Sequence, residues 1–139
     1  MPELDNLNIM KNVVDVLISI SERKTDHGHA IMTMDNLIKQ LEPQFNFLKN
    51  VHIQDRPYSE YGETVSIMSD INTVKSTEVG KAIHALIVNL RDSLGESAGH
   101  FFIKEIRYML RDEYFSRMND IGVNFALLQL DEEFTYMKK

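Results

Sequence analysis

The sequence predicts a single α+β domain, mainly helical, with a short antiparallel β-hairpin between an N-terminal helical pair and a C-terminal helical cluster. Apolar residues recur at helical spacing at both ends of the chain, and a two-residue alternation interrupts them. The polar stretches between these segments are too short to separate two domains. We expect the N-terminal helices at about 7–41, the hairpin at about 45–71 and the helical cluster at about 77–137.

Composition and charge narrow the classes of function. The chain has 139 residues, which is enough for one core, and a net charge of −6, which argues against an overall basic surface for nucleic acid. No apolar run approaches the roughly 20 residues that a membrane span needs, and the start lacks a signal-peptide pattern. The absence of cysteine excludes disulfides and thiolate metal sites. We therefore expect a cytoplasmic protein that binds neither nucleic acid nor membrane.

Two helices are predicted in the N-terminal part of the chain. Asn6 or Asp5 is placed to cap a helix that begins near Leu7. The segment 21–28 is polar and contains a glycine, so it reads as a connection. A second helix is expected from about His29 to Leu41.

The hairpin is predicted from alternating apolar and polar residues. This two-residue period runs from Phe45 to Ile53 and again from Val65 to Ile71. Residues 55–62, with proline and glycine, have the composition of a loop. Because an isolated hairpin is marginally stable in water, this one should pack on the helices or pair across a dimer.

A helical corner lies at the centre of the C-terminal cluster. Gly95 is placed to end a long helix, since glycine accepts the left-handed conformation common at helix ends. Ser97 is placed to cap the next helix, whose apolar face includes Phe102. We expect Gly95, Gly99 and Phe102 to be the structural residues of this corner.

The remaining helix boundaries follow from capping residues. The long helix should begin at Ser76 or Thr77. Residues 112–118 predict a further helical turn or two. Asn124 is placed to cap a last helix, from Phe125 to Met137.

His27 and His29, with Asp26, are the first candidates for a metal site. Imidazole and carboxylate groups suit zinc and other transition ions. The spacing lacks a second pair of ligands, so a polar connection beside a helix start is the favoured alternative.

His100, Phe101 and His84 are the candidates for binding a haem or another small ligand. A buried neutral imidazole beside the aromatic corner could coordinate haem iron. The competing interpretation is a partly buried histidine that fills space beside two phenylalanines.

No pattern of catalytic residues is present. The sequence contains neither a GxSxG nor an HExxH motif. The acidic runs at 112–113 and 131–133 are interpreted as solvated helix surface. We expect no enzymatic activity and no cofactor in the leading hypothesis.

The second half of the chain resembles a known family. The run from Leu94 to Glu105, followed by Asp112-Glu113-Tyr114, Ile121-Gly122-Val123-Asn124 and Leu128-Gln129-Leu130, is similar to the Nitrosopumilus output domain of archaeal signal-transduction proteins. The resemblance covers residues 79–132. It implies a non-enzymatic signalling or interaction module and assigns no binding residues.

Together these observations predict a signalling or regulatory module that acts by protein–protein contact. We expect a homodimer, because the first helix and the hairpin offer more apolar surface than a small domain covers alone. The resemblance implies a signalling protein as a further partner. Met32, Met34 and Met68 could contribute to an adaptable contact surface. A haem or small-ligand sensor is the alternative.

Overall fold

The computed structural model describes residues 5–54 and 64–137, with side chains described as far as residue 134. The described residues form a mainly helical α+β fold, as predicted. Its helices and strands are, in order, α1 (Asn6–Lys24), α2 (His27–Leu41), β1 (Val51–Ile53), β2 (Val65–Ile67), α3 (Ser76–Leu94), α4 (Phe102–Met109), α5 (Asp112–Asp120) and α6 (Phe125–Met137). The predicted loop at 55–62 lies outside the described residues.

Helix α1 is the central element of the core. It packs against α2, α3, α4 and β2. Adjacent residues such as Val13–Val14 and Leu17–Ile18 are all buried, so α1 is covered on more than one side. The prediction that the first helix exposes spare apolar surface is therefore wrong. Of the three methionines predicted for a contact surface, Met34 is buried, whereas Met32 and Met68 are exposed.

The polar segment 21–28 is mostly helical, against the prediction of a connection. Helix α1 continues to Lys24 because Ser21 is buried with the core face of the helix. The Thr25 hydroxyl and amide both donate to the Ser21 carbonyl and end the helix. Helix α2 then begins at once, with Asp26 as its N-cap.

A buried asparagine ties the start of α1 to the segment before α3. The Asn6 side-chain amide donates to the carbonyls of Ile71 and Val74, at 3.0 and 2.7 Å. Its oxygen accepts from the Ser76 hydroxyl at 3.0 Å. The N-cap of α1 is Asp5, whose carboxylate accepts from a backbone amide of the first turn. Of the two predicted caps, Asp5 is the correct one, because the polar atoms of Asn6 are used in long-range contacts.

The hairpin exists, but its strands are shorter than predicted. Residues 46–50 and 69–73 are 3₁₀ helices, so β1 and β2 contain three residues each. The strands are antiparallel, with Val51 opposite Ile67. Phe45 and Leu48 are both buried and lie three residues apart, which matches the 3₁₀ period and not that of a strand. The sheet packs on α1 and α2.

The predicted corner between α3 and α4 is confirmed in part. Gly95 ends α3 with a φ of 56°, and Phe102 is fully buried. Ser97 does not cap α4, because residues 95–98 form a 3₁₀ turn and α4 begins only at Phe102. Gly99 lies between this 3₁₀ turn and α4, and its φ of 79° is in the left-handed region. The last helix is capped as predicted, since Asn124 accepts from the Leu127 amide at 3.1 Å.

Helix α3 and the end of α5 approach each other closely at a glycine. A Cβ atom built on Gly80 would lie 2.1 Å from the backbone oxygen of Ile121. Backbone atoms cannot move aside as a flexible side chain can. The absence of a side chain at Gly80 therefore allows the turn after α5 to pack this closely on α3.

We expect Gly80→Ala to destabilise the protein by about 1–3 kcal/mol, because the added methyl overpacks the contact with Ile121. This loss would outweigh the roughly 1 kcal/mol by which alanine favours a helix over glycine. Urea denaturation measures the difference. Gly28→Ala is the control, because its Cβ would meet nothing closer than 3.7 Å and should leave stability equal or slightly higher. Equal stability of the Gly80→Ala variant and the wild type would contradict the close approach.

Candidate interaction surface

The structure gives His27 and His29 local partners at the start of α2. His27 lies within hydrogen-bonding contact of the Glu22 carboxylate through Nδ1. Asp26 accepts from the His29 amide at 2.8 Å, as an N-cap does. Within residues 5–54 and 64–137, no three histidine, aspartate or glutamate side chains gather as metal ligands would. The metal site at Asp26, His27 and His29 stays a prediction.

The three ligand candidates lie in different settings. His84 is half-buried on α3, whereas His100 and Phe101 are exposed just before α4. The buried or partly buried environment predicted for His100 is wrong, because the inward face of α4 begins only at Phe102. His100 and Phe101 instead line an open groove of about 320 Å³ between α4 and α6; its other lining residues are Lys104, Gln129 and Glu133.

The outward side of α4 forms a ridge that is both aromatic and basic. Phe101, Lys104 and Tyr108 follow one another at helical spacing, and Phe101 and Tyr108 are 62% and 93% exposed. The Lys104 ammonium lies 5.4 Å from the centre of the Phe101 ring. The guanidinium of Arg107 stacks 4.6 Å from the ring centre of Phe115 on α5. These contacts hold cationic groups against aromatic rings at the surface.

Helix α6 carries apolar side chains on two opposite sides. Phe125 and Leu128 are buried on the inward side. Leu127, Leu130 and Phe134 form an outward stripe at spacings of three and four residues, and each is more than half exposed. A helix that is apolar on opposite sides is typical of a buried position, yet all three side chains of the outward stripe are more than half exposed.

The outward sides of α4 and α6 flank the same groove, since Lys104 lines it from α4 and Glu133 from α6. Six of the eight large apolar side chains that are exposed among the described residues lie on these two sides. We name this surface the α4–α6 face; its apolar members are Phe101, Tyr108, Met109, Leu127, Leu130 and Phe134.

Sequence reasoning did not separate the apolar residues of the last helix by side, and so it missed the face. The signal was present in their spacing. Leu127, Leu130 and Phe134 fall on one side of a helix, and Phe125 and Leu128 fall on another. One core cannot cover both sides of a helix that lies at the surface.

The charged groups of the face differ in sign between its two helices. Lys104 and Arg107 lie exposed on α4. Asp131 and Glu133 lie exposed on α6. The face thus has a basic half and an acidic half, in a chain whose net charge is −6.

Helix α4 is anchored to the central helix by charge. The Lys24 ammonium, near the end of α1, contacts the Glu105 carboxylate at 2.9 Å. Arg23 lies 3.8 Å from the same carboxylate. The Arg23 guanidinium also donates to the Met109 sulfur at 3.4 Å. The basic half of the face is therefore placed by α1.

Glu132 is buried beneath the acidic half of the face, against the prediction of a solvated acidic run. Its side chain is 1% exposed, and neither carboxylate oxygen makes a full hydrogen bond. Burial raises the pKa of Glu132 above its ordinary value of 4.5; the nearby amides of Ile103 and Phe102 and the Arg91 guanidinium lower it less. Glu105 adds a further, smaller rise. Helix α6 therefore packs over the start of α4 with a carboxyl group whose pKa is raised by burial.

We expect Glu132→Gln to raise the free energy of unfolding at pH 7, because glutamine removes the cost of burying a carboxylate. A raised pKa in the folded state means that the native protein binds the proton more tightly than the unfolded chain. The contribution of Glu132 to stability is thus greatest below pH 4.5 and is lost as the pH rises through the raised value.

Denaturation at a series of pH values measures this difference. The difference in free energy of unfolding between Glu132→Gln and the wild type, which we call the gap, should increase as the pH rises above 4.5. Glu133→Gln is the control, since Glu133 is exposed and should produce no such gap. A gap that is absent, or that widens toward low pH, would contradict the raised pKa.

No known protein family, curated protein or solved structure compared with this chain matches it. The resemblance to the Nitrosopumilus output domain stays a prediction.

Proposed function

We propose that this chain is a non-enzymatic protein-interaction module of a cytoplasmic signalling or regulatory system, and that it acts through the α4–α6 face. The observation that supports the proposal is the concentration of exposed large apolar side chains on that face. Soluble domains rarely leave such side chains clustered, and a clustered patch with a polar rim is typical of an interaction site. No helix among the described residues is long and apolar enough to cross a membrane.

The composition of the face also favours a protein partner. Phe101, Tyr108 and Met109 belong to the residue types that are enriched at interfaces, as does Arg107. Binding a partner would remove the apolar surface of these side chains from water, and this burial would supply the affinity. Lys104 and Glu133 at the groove can select a partner by charge.

The signalling role is supported by the resemblance over residues 79–132. Those residues include most of α3, all of α4 and α5, and the first part of α6. The resemblance implies an output module that works without catalysis. The α4–α6 face lies largely within the same residues.

We expect Leu130→Asp and Tyr108→Asp each to abolish capture of protein partners by the tagged chain, because a charge at either position would need to be buried on binding. Both side chains are more than half exposed, so the free chain should fold normally. The measurement is affinity capture from a lysate of the source organism, with untagged copies of this chain counted among the partners. Met32→Asp, at an exposed apolar residue on α2, is the matched control and should capture as the wild type does.

Capture of the same proteins by all three variants would show that binding does not use the α4–α6 face. Capture of nothing by the wild type would contradict the interaction role itself.

A small-ligand sensor is the second candidate, and the groove beside α4 is the observation that favours it. An imidazole, an aromatic ring and an ammonium group meet there, from His100, Phe101 and Lys104. Its volume of about 320 Å³ lies at the lower end of the range for ligand pockets. His84 does not line this groove, so His100 is the candidate iron ligand.

If this candidate is correct, adding haem to the purified chain shifts the haem absorption spectrum, and His100→Ala abolishes the shift. His52→Ala, at an exposed histidine of β1, is the control and should leave the shift unchanged. An unshifted spectrum with the wild-type chain would exclude a haem-binding role for His100.

A further inference from the structure

We infer that the α4–α6 face is covered by a second copy of this chain, in a twofold dimer in which α6 of each protomer packs on α4 of its partner. The inference rests on the proposed function, since it names the occupant of the same face.

Helix α6 has the side-chain pattern of a helix between two layers. Its inward side packs on the protein through Phe125 and Leu128. Its outward stripe of Leu127, Leu130 and Phe134 has the three-then-four spacing with which one helix packs against another. The stripe is therefore suited to a helix lying across it, and the aromatic ridge of α4 presents such a helix.

The two halves of the face are complementary in charge. Lys104 and Arg107 border the aromatic ridge of α4, whereas Asp131 and Glu133 border the apolar stripe of α6. Pairing α6 with α6 would set acidic side chains against each other, and pairing α4 with α4 would do the same with basic ones. Only crossed pairing of α6 with α4 sets unlike charges together, and like charges across an interface are costly.

Helices α4 and α6 are in contact within one protomer. Because α4 and α6 flank one groove, a twofold axis that runs along that groove brings both crossed pairs together at once, whereas an axis across the groove would pair each helix with its own copy. In such an isologous contact the same patch serves both protomers, so a single chain supplies both complementary halves. No other partner is needed to account for the opposite charges of the two halves.

The experiment reverses the charge of each half separately and then mixes the two variants. Lys104→Glu with Arg107→Glu makes α4 acidic, and Asp131→Lys with Glu133→Lys makes α6 basic. We measure the mass of each protein in solution by sedimentation equilibrium, over a range of concentrations. Circular dichroism and thermal melting establish that each variant is folded.

The wild type is expected at twice the 16.1 kDa mass of one chain. Each charge-reversed variant should be monomeric at concentrations where the wild type is dimeric, with a dissociation constant raised at least about tenfold. An equimolar mixture of the two variants should regain the dimer mass, because both crossed pairs then carry unlike charges again. Leu130→Asp should be monomeric alone, and Met32→Asp should dimerise as the wild type does.

Three results would overturn the inference. One is a wild type that stays monomeric at the highest concentrations. If the chain then still captured a different protein in a Leu130-dependent way, the proposed function would stand and only the inference of a second copy would be wrong. Another is dimerisation of the variant with an acidic α4, which would mean that α4 is not in the interface. The third is a mixture of folded variants that remains monomeric.

Discussion

The burial of α1 on several sides is the constraint on which the rest of the structure depends. Helices α2, α3 and α4 and strand β2 all pack on it, so each of them is positioned by contact with the same helix. Its β-branched residues weaken intrinsic helicity, which means that packing must stabilise α1 as much as α1 stabilises its neighbours. Asn6 orients α1 relative to the segment before α3, since its three hydrogen bonds join the start of α1 to Ile71, Val74 and Ser76.

The α4–α6 face follows from this arrangement. Helix α4 is held to the end of α1 by the contact of Lys24 with Glu105, and its inward side is filled by Phe102. Helix α6 then packs over the start of α4, with Glu132 enclosed near Arg91. The apolar side chains that stay exposed are those that the packing of α4 and α6 on the rest of the protein does not bury. Two helices that each place apolar side chains outward as well as inward create a surface suited to a partner.

Local sequence signals predicted the helices and the hairpin better than they predicted which side chains are buried. The glycine stop at Gly95 and the asparagine cap at Asn124 were correct, because both act within one turn of backbone. Strand length was wrong over residues 45–53, where the buried Phe45 and Leu48 follow a 3₁₀ period and not the two-residue period of a strand. The candidate site was largely missed: His100 and Phe101 border the groove, but the buried carboxylate of Glu132 was interpreted as solvated because its neighbours in sequence are acidic.

The sequence by itself determined that the chain forms a mainly helical domain with one small hairpin, and where most of its helices begin and end. Those features depend on residue spacing and capping, which act between near neighbours. Only the tertiary structure decided which apolar side of α6 is covered, that α1 and not the corner at Gly95 is central, and that Glu132 lies under α6. Burial depends on contacts between residues distant in the chain, and periodicity specifies that a helix has a face without specifying what covers it.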